Sequence, residues 1–290
     1  MHNKLYFRIM NLKSLLLNTL VLLGLGFTFA ACGQQGVAAQ VLNSSDSTNS
    51  QLKPRKMTVE IWSDVMCPFC YIGKRKFEAA LAKFKNSHQV EIVWKSFQLN
   101  PSMVTDPNKS TVQYLAETKG WSMEYTQNTM AYVVNMAKGV GLDYHFDKAV
   151  VANSFDAHRM IQLAKSKGKG DLAEERLFRA YFTEGKNTAD IPTLIQLGVE
   201  IGLDEAELRT MYAGKQFAAE VLKDLSEAEQ LRISGVPFFV FDRKYAVSGA
   251  QDSEVFLDTL TKAWENYAKA NPSALTGTDG KVCTPEGECK

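Results

Sequence analysis

Hydrophobic spacing divides the chain into stretches of different period. Residues 58–62 (Thr-Val-Glu-Ile-Trp) are rich in β-formers and predict a strand. From Cys67 to Asn86 the apolar residues Ile72, Phe77, Ala80, Leu81 and Phe84 recur at helical spacing. Residues 90–98 predict a second strand through Val90, Ile92, Val93 and Trp94, stopped by Asn100-Pro101. Strand, helix and strand in that order imply a right-handed crossover and parallel pairing. From about 110 to 230 the only period is helical, and it predicts helices over 111–119, 122–139, 146–167, 171–184, 191–202, 205–212 and 216–231. Residues 236–242 and 245–248 then alternate as a hairpin, and 252–269 closes with a helix.

The pattern is that of an α/β layer interrupted by a helical block and then completed. Its expected parts are 57–104, an inserted all-helical domain over 105–232, and 233–270. Residues 271–290, rich in Gly, Thr and Pro, predict a loose tail. No internal repeat is present.

The N-terminal stretch stands outside this fold. Lys4, Arg8 and Lys13 precede an almost wholly apolar run over 14–29, and Ala30-Ala31-Cys32 closes it. Residues 1–31 therefore predict an export signal, with an uncleaved anchor as the alternative. Residues 32–56 predict a flexible tether, because 33–54 lack aromatics and cannot bury enough surface to fold. Phe29-Ala30-Ala31-Cys32 resembles a bacterial lipobox, with Phe29 where Leu is usual. That resemblance implies a lipidated Cys32 and a chain anchored in the bacterial cell envelope, facing the periplasm.

The formal net charge is +1, and loss of the basic leader leaves the chain slightly acidic. Nothing in this balance suggests a nucleic-acid partner. The cysteines say more. Apart from Cys32 they form two close pairs, Cys67/Cys70 and Cys283/Cys289. Disulfides persist in an exported chain, but one of this size buries a core without staples, so sparse pairs point to chemistry.

Cys67-Pro68-Phe69-Cys70 sits where the first strand meets its helix. Unpaired N–H groups and the helix dipole favour an anion there, so Cys67 is expected to be an acidic, exposed nucleophile. Pro68 suits the first helical position. Cys70, one turn further in, is then the resolving thiol. A bare C-x-x-C also fits an inert bridge, or half of a zinc site completed by Cys283 and Cys289. Its place inside a β–α–β unit favours redox chemistry and no metal. Downstream, Ser234-Gly235-Val236-Pro237 puts a proline at the start of a strand. A cis bond before Pro237 would turn the Val236 backbone toward the dithiol, where an extended substrate could dock; an ordinary proline at a strand start is the alternative.

The segment Glu60-Ile-Trp-Ser-Asp-Val-Met-Cys67-Pro-Phe-Cys70-Tyr-Ile-Gly-Lys-Arg75 resembles the FrnE-like branch of the DsbA family. So do Phe97-Gln-Leu-Asn-Pro101, Asn153-Ser-Phe-Asp-Ala-His158-Arg159, Ser234–Pro237, Tyr245–Gln251 and the spacing of Cys283 and Cys289. The resemblance spans about 58–289. It implies a thioredoxin-like fold with an inserted helical domain, Cys67 as nucleophile, Cys70 as its partner and a cis Pro237, with no cofactor beyond the redox disulfide. Two departures stand out: Phe69 replaces a more usual Trp, and the branch is commonly cytoplasmic whereas this chain carries an export signal. A related branch, the glutathione-dependent isomerases and transferases, generally uses Ser as its nucleophile, and the intact cysteine pair argues against that chemistry.

Supporting roles follow less directly. Glu60 and Lys95 are charges in apolar strands, expected either as a semi-buried pair beneath the dithiol, relaying the Cys70 proton, or as solvent-facing positions. His158 is either a cleft residue or a packed helical histidine. Phe238 and Phe239 should divide between core and cleft by strand alternation. Cys283/Cys289 reads as a local bridge or a relaying dithiol. The expected partners are protein thiols and disulfides, a membrane or soluble redox partner, and the membrane itself. Oxidation of proteins is favoured over reduction or isomerisation. Two rival readings are a lipid-anchored binding module with an inert bridge and a glutathione-dependent isomerase.

Overall fold

The computed structural model describes residues 55–272. Cys32, Cys283 and Cys289, and with them the expected signal, nearly all of the tether and the tail pair, lie outside the described residues.

A four-stranded sheet carries the layer, in the order β2–β1–β5–β6. Strand β1 (Met57–Ser63) lies parallel to β2 (Val90–Ser96) across helix α1 (Pro68–Lys83), as strand–helix–strand spacing requires. On its other side β1 pairs antiparallel with β5 (Phe238–Phe241), which turns into β6 (Tyr245–Ser248). Side-chain alternation divides β1 between two cores. Met57, Val59 and Ile61 pack with Phe77 of α1 and with Phe256, Leu260 and Trp264 of α9 (Ser253–Ala270). Trp62 points the other way, into a cluster with Val240 and with Ala228 of α8 (Ala218–Gln230).

Between β2 and β5 the chain runs through β3 (Asp106–Ser110), α2 (Thr111–Lys119), α3 (Met123–Lys138), β4 (Val150–Val151), α4 (Phe155–Ser166), α5 (Gly170–Phe182), α6 (Ile191–Glu200), α7 (Glu205–Ala213) and α8. Helices α3 to α7 share one apolar core, and Cys67, Cys70, Tyr71 and Ile72 from the start of α1 belong to it. Helix α1 thus has its first turn in one core and Phe77 and Ala80 in the other.

Two elements differ from the sequence reading. The helix expected from 146 starts at Phe155, and a short ribbon of β3 with β4 precedes it. Asn153 accounts for the delay. Its side chain accepts from Phe155 N (2.9 Å) and donates to Met103 O (2.8 Å), offering the backbone a turn in place of a helix. The strand expected from 236 starts at Phe238, leaving Val236-Pro237 outside the ladder, joined by a cis peptide bond.

Gly73 lies where α1 crosses this cis bond. A Cβ there would stand 2.9 Å from Pro237 Cγ and 3.5 Å from Phe239 Cζ. Gly73→Ala should therefore destabilise by about 1–3 kcal/mol through overpacking, although alanine is the better helix former. Urea unfolding checks this: the midpoint falls with unchanged slope, whereas a rise would show that the approach is not tight.

Candidate active site

Cys67 is the N-cap of α1 (φ −87°, ψ 111°), Pro68 opens the helix, and no acidic residue lies in the first turn. The turn before it is closed by Cys67 N donating to Asp64 O (2.9 Å). Cys70 N donates to Cys67 O (3.0 Å), which folds the two sulfurs onto one side of the first turn. Both cysteines are free thiols.

Their surroundings correct one expectation. Cys67 is only 3% exposed, against 1% for Cys70, so it is not a surface nucleophile. The Val236 carbonyl covers it and accepts a hydrogen bond from its Sγ at 3.4 Å. What distinguishes the two thiols is a cavity of about 370 Å³ between the start of α1, the loop around Leu99 and Met103, and helices α2 and α3. Cys67 lines it with Phe69, Leu99, Met103, Trp121 and Val236; Cys70 does not reach it. The Cys70 thiol is held well above its ordinary pKa, first by burial, then by its hydrogen bond to Cys67 and that residue's charge; the Asp64 backbone and the Ser63 hydroxyl oppose this. Cys70 therefore keeps its proton.

The helical region grips the start of α1 through groups that periodicity does not reveal. Tyr144, in the loop after α3, donates its hydroxyl to Pro68 O (2.8 Å). Tyr71 stacks on Phe178 (centroids 4.9 Å apart) and donates to Glu175 Oε1 (2.6 Å). Glu175 also accepts from Arg75 Nη1 (2.9 Å) and pairs with Lys74 (3.0 Å). Burial pushes the Glu175 carboxyl up, but bonds from Arg75 and Tyr71 and the Lys74 charge outweigh it and hold it at about 2, below an ordinary 4.5. A depressed carboxylate stabilises the fold above its unfolded value and loses that contribution as pH falls toward the folded one. Glu175→Gln should therefore flatten the loss of stability between about pH 4.5 and 2. Acid titration followed by circular dichroism reads this, and an acid limb as steep as the parent's would refute it.

Glu60 and Lys95 are paired, at 3.9 Å, but on the wrong face for a relay. Alternation turns Glu60, like Trp62, toward α8, whereas Val59 and Ile61 face α1. Glu60 is held by Arg243, and Lys95 binds Asp224 (3.0 Å) and Glu227 (2.8 Å) of α8. The pair ties the sheet to α8 and does not lie beneath the dithiol. His158 is fully buried and does not line the cavity, which excludes direct contact with a molecule held there. Phe239 is core, and Phe238 joins the Trp62 cluster rather than the cavity. Phe69 is half-exposed at the cavity's edge. Among the described residues no group of three or more His, Cys, Asp or Glu could hold a metal ion.

A dithiol at the first turn of the helix of a β–α–β unit, facing the backbone before a cis proline, defines a thioredoxin-like thiol–disulfide site. The family described as DSBA-like thioredoxin domain matches residues 58–261, so the chain belongs to that family and is a thiol–disulfide oxidoreductase. It is similar to a probable DsbA oxidoreductase from Streptomyces coelicolor, with 38% identity and a TM-score of 0.68 over 81% of this chain and 98% of that one. It is 30% identical over 206 residues to the uncharacterized protein YwbO of Bacillus subtilis, covering 68% of this chain and 92% of the relative. A cytosolic disulfide reductase, DsbM of Pseudomonas aeruginosa, shares the fold at 18% identity and a TM-score of 0.50, over 74% of this chain and 98% of that one.

Proposed function

We propose that this chain oxidises the thiols of other proteins, with Cys67 as the sulfur that exchanges with substrate and Cys70 as the buried sulfur it is bonded to in the oxidised state and released from on attack. One observation carries the reading: Cys67 opens on the apolar cavity, whereas Cys70 is sealed behind it with its proton held. Starting from the Cys67–Cys70 disulfide, a substrate thiolate attacks Cys67 Sγ. The Sγ–Sγ bond breaks, and the leaving Cys70 sulfur takes a proton. A second substrate thiolate then attacks the substrate sulfur of the mixed disulfide and expels Cys67 as thiolate. The substrate leaves with a disulfide, and two electrons remain on the pair.

The fold gives each neighbour of the dithiol a part. The Val236 carbonyl, outside the ladder and beside Cys67, offers main-chain docking to an extended substrate next to Pro237. Phe69, Leu99, Met103 and Trp121 offer apolar contact to the residues flanking a substrate cysteine. Cys67 caps the start of α1, where the helix dipole favours the reduced form and so makes the disulfide the stronger oxidant. The FrnE-like motifs and the lipobox-like Phe29–Cys32 support a member of that branch exported and held by a lipid on Cys32, where an oxidising compartment suits the direction.

The test is to mix the oxidised protein with a reduced, unfolded protein containing two cysteines and to count the thiols. Loss of substrate thiols matched by gain of Cys67 and Cys70 thiols is expected. Reduction of a substrate disulfide, with no net oxidation under the same conditions, would reverse the direction assigned. Fractionation tests the anchor: Cys32→Ser should move the chain from the membrane to the soluble fraction.

A further inference from the structure

Leu99 and Met103, on the loop between β2 and β3, line the same cavity as Cys67, and Leu99 is 52% exposed. Apolar side chains on an irregular loop make a fixed surface only if the backbone beneath them is held. Three side chains from distant parts of the chain hold this one. Asp64, in the turn before Cys67, accepts from Leu99 N (2.8 Å). The Tyr114 hydroxyl of α2 accepts from Asn100 Nδ2 (2.9 Å).

Asn153, just ahead of α4, makes the most bonds. Its Oδ1 accepts from Gln98 Nε2 (3.0 Å), and its Nδ2 donates to Met103 O (2.8 Å) and Pro101 O (3.3 Å). The same Oδ1 accepts from Phe155 N (2.9 Å), and Asn153 N donates to Thr105 Oγ1 (3.0 Å). Both amide protons and both lone pairs of the oxygen are thus engaged, and a carboxylate in their place supplies neither donation. Asn153 itself does not line the cavity. Its influence on the site passes through the loop.

We propose that Asn153 is a positioning residue for substrate choice. By holding residues 98–105 it fixes Leu99 and Met103 as a preformed apolar wall near the exchanging sulfur. That wall favours a substrate cysteine with a bulky apolar neighbour over a small polar thiol. The inference deepens the oxidoreductase reading and rests on it; the exchange steps themselves are unchanged. Without the two donations the loop must be ordered whenever a substrate binds, and that cost falls on substrates that touch the wall. A small dithiol reaching Cys67 without such contact escapes it.

The full chain, oxidised at Cys67 and Cys70, is mixed in single turnover with three reductants. These are dithiothreitol and two reduced two-cysteine peptides that differ only in Leu or Ser beside the first cysteine. Acid quenching and thiol alkylation give a limiting rate and a half-saturating concentration for each. In the parent their ratio should favour the Leu peptide about tenfold, the size of one apolar side-chain contact. Asn153→Asp keeps the acceptor for Phe155 N at the start of α4 and loses both donations. It should erase the preference by raising the half-saturating concentration of the Leu peptide, with the limiting rate little changed. Leu99→Ala should erase it too. A parent that does not distinguish the peptides overturns the inference, whether or not a variant folds. So does a folded Asn153→Asp chain that keeps the preference, or one that slows all three reductants alike, as a merely structural loss would. A parent disulfide that dithiothreitol opens but both peptides leave intact would instead defeat the oxidoreductase reading.

Discussion

Cys67→Ser should reduce protein-thiol oxidation to background, whereas Cys70→Ser, offered a substrate that carries a disulfide, should accumulate a stable mixed disulfide through Cys67. The asymmetry follows from access. A substrate sulfur reaching through the cavity meets Cys67, and Cys70 lies beyond its reach. Without Cys67 no intermolecular bond forms; without Cys70, Cys67 attacks the substrate disulfide, one substrate sulfur leaves as thiolate, and no neighbouring thiol is left to resolve the new bond. Non-reducing electrophoresis and mass spectrometry after acid quenching distinguish the outcomes. Trapping on Cys70 in the Cys67→Ser chain, at a rate like that of Cys70→Ser, would reverse the roles.

Phe239→Ala should be the most damaging single truncation beneath the site. Phe239 is fully buried in the centre of the core between sheet and helices, with its ring centroid 4.6 Å from that of Phe256 and 5.5 Å from that of Phe77. It stands opposite Ile61 on β1 and against the face of α1 that carries Gly73. Removing the ring costs transfer energy and leaves a cavity bounded by two helices and the sheet, about 3–5 kcal/mol. For a folded unit of this size that lowers the melting temperature by roughly 6–20 °C. Calorimetry reads it directly. A loss below about 1 kcal/mol would mean that the surrounding aromatics collapse into the gap.

Much of this fold is legible in the sequence because local signals and burial agree there. Strands β1 and β2 carry β-branched and aromatic residues, and α2 begins with a Ser110–Gln113 capping box, so their limits match the expected ones closely. The ribbon of β3 and β4 was not legible: β3 contains Pro107 and β4 only two residues, and their pairing depends on the long-range clamp made by Asn153. The dithiol was legible because both cysteines are local to one helix start. Its surroundings were not. The face occupied by Glu60 depends on where α8 lands, and a single step in strand register reverses the reading. No local signal marks Asp64, since a carboxylate near a thiol opposes its ionisation, yet its hydrogen bonds pin the turn that holds Cys67. Tyr144 sits in a loop without periodicity, and only the folded chain brings its hydroxyl to Pro68.

The most direct test is the midpoint potential of the Cys67/Cys70 couple, found by equilibrating the mature chain in glutathione buffers and trapping the thiols with acid. One reversible two-electron transition is expected, well above the roughly −270 mV of a thioredoxin-type reductant. A pair that never equilibrates, or a midpoint at or below that value, would contradict it.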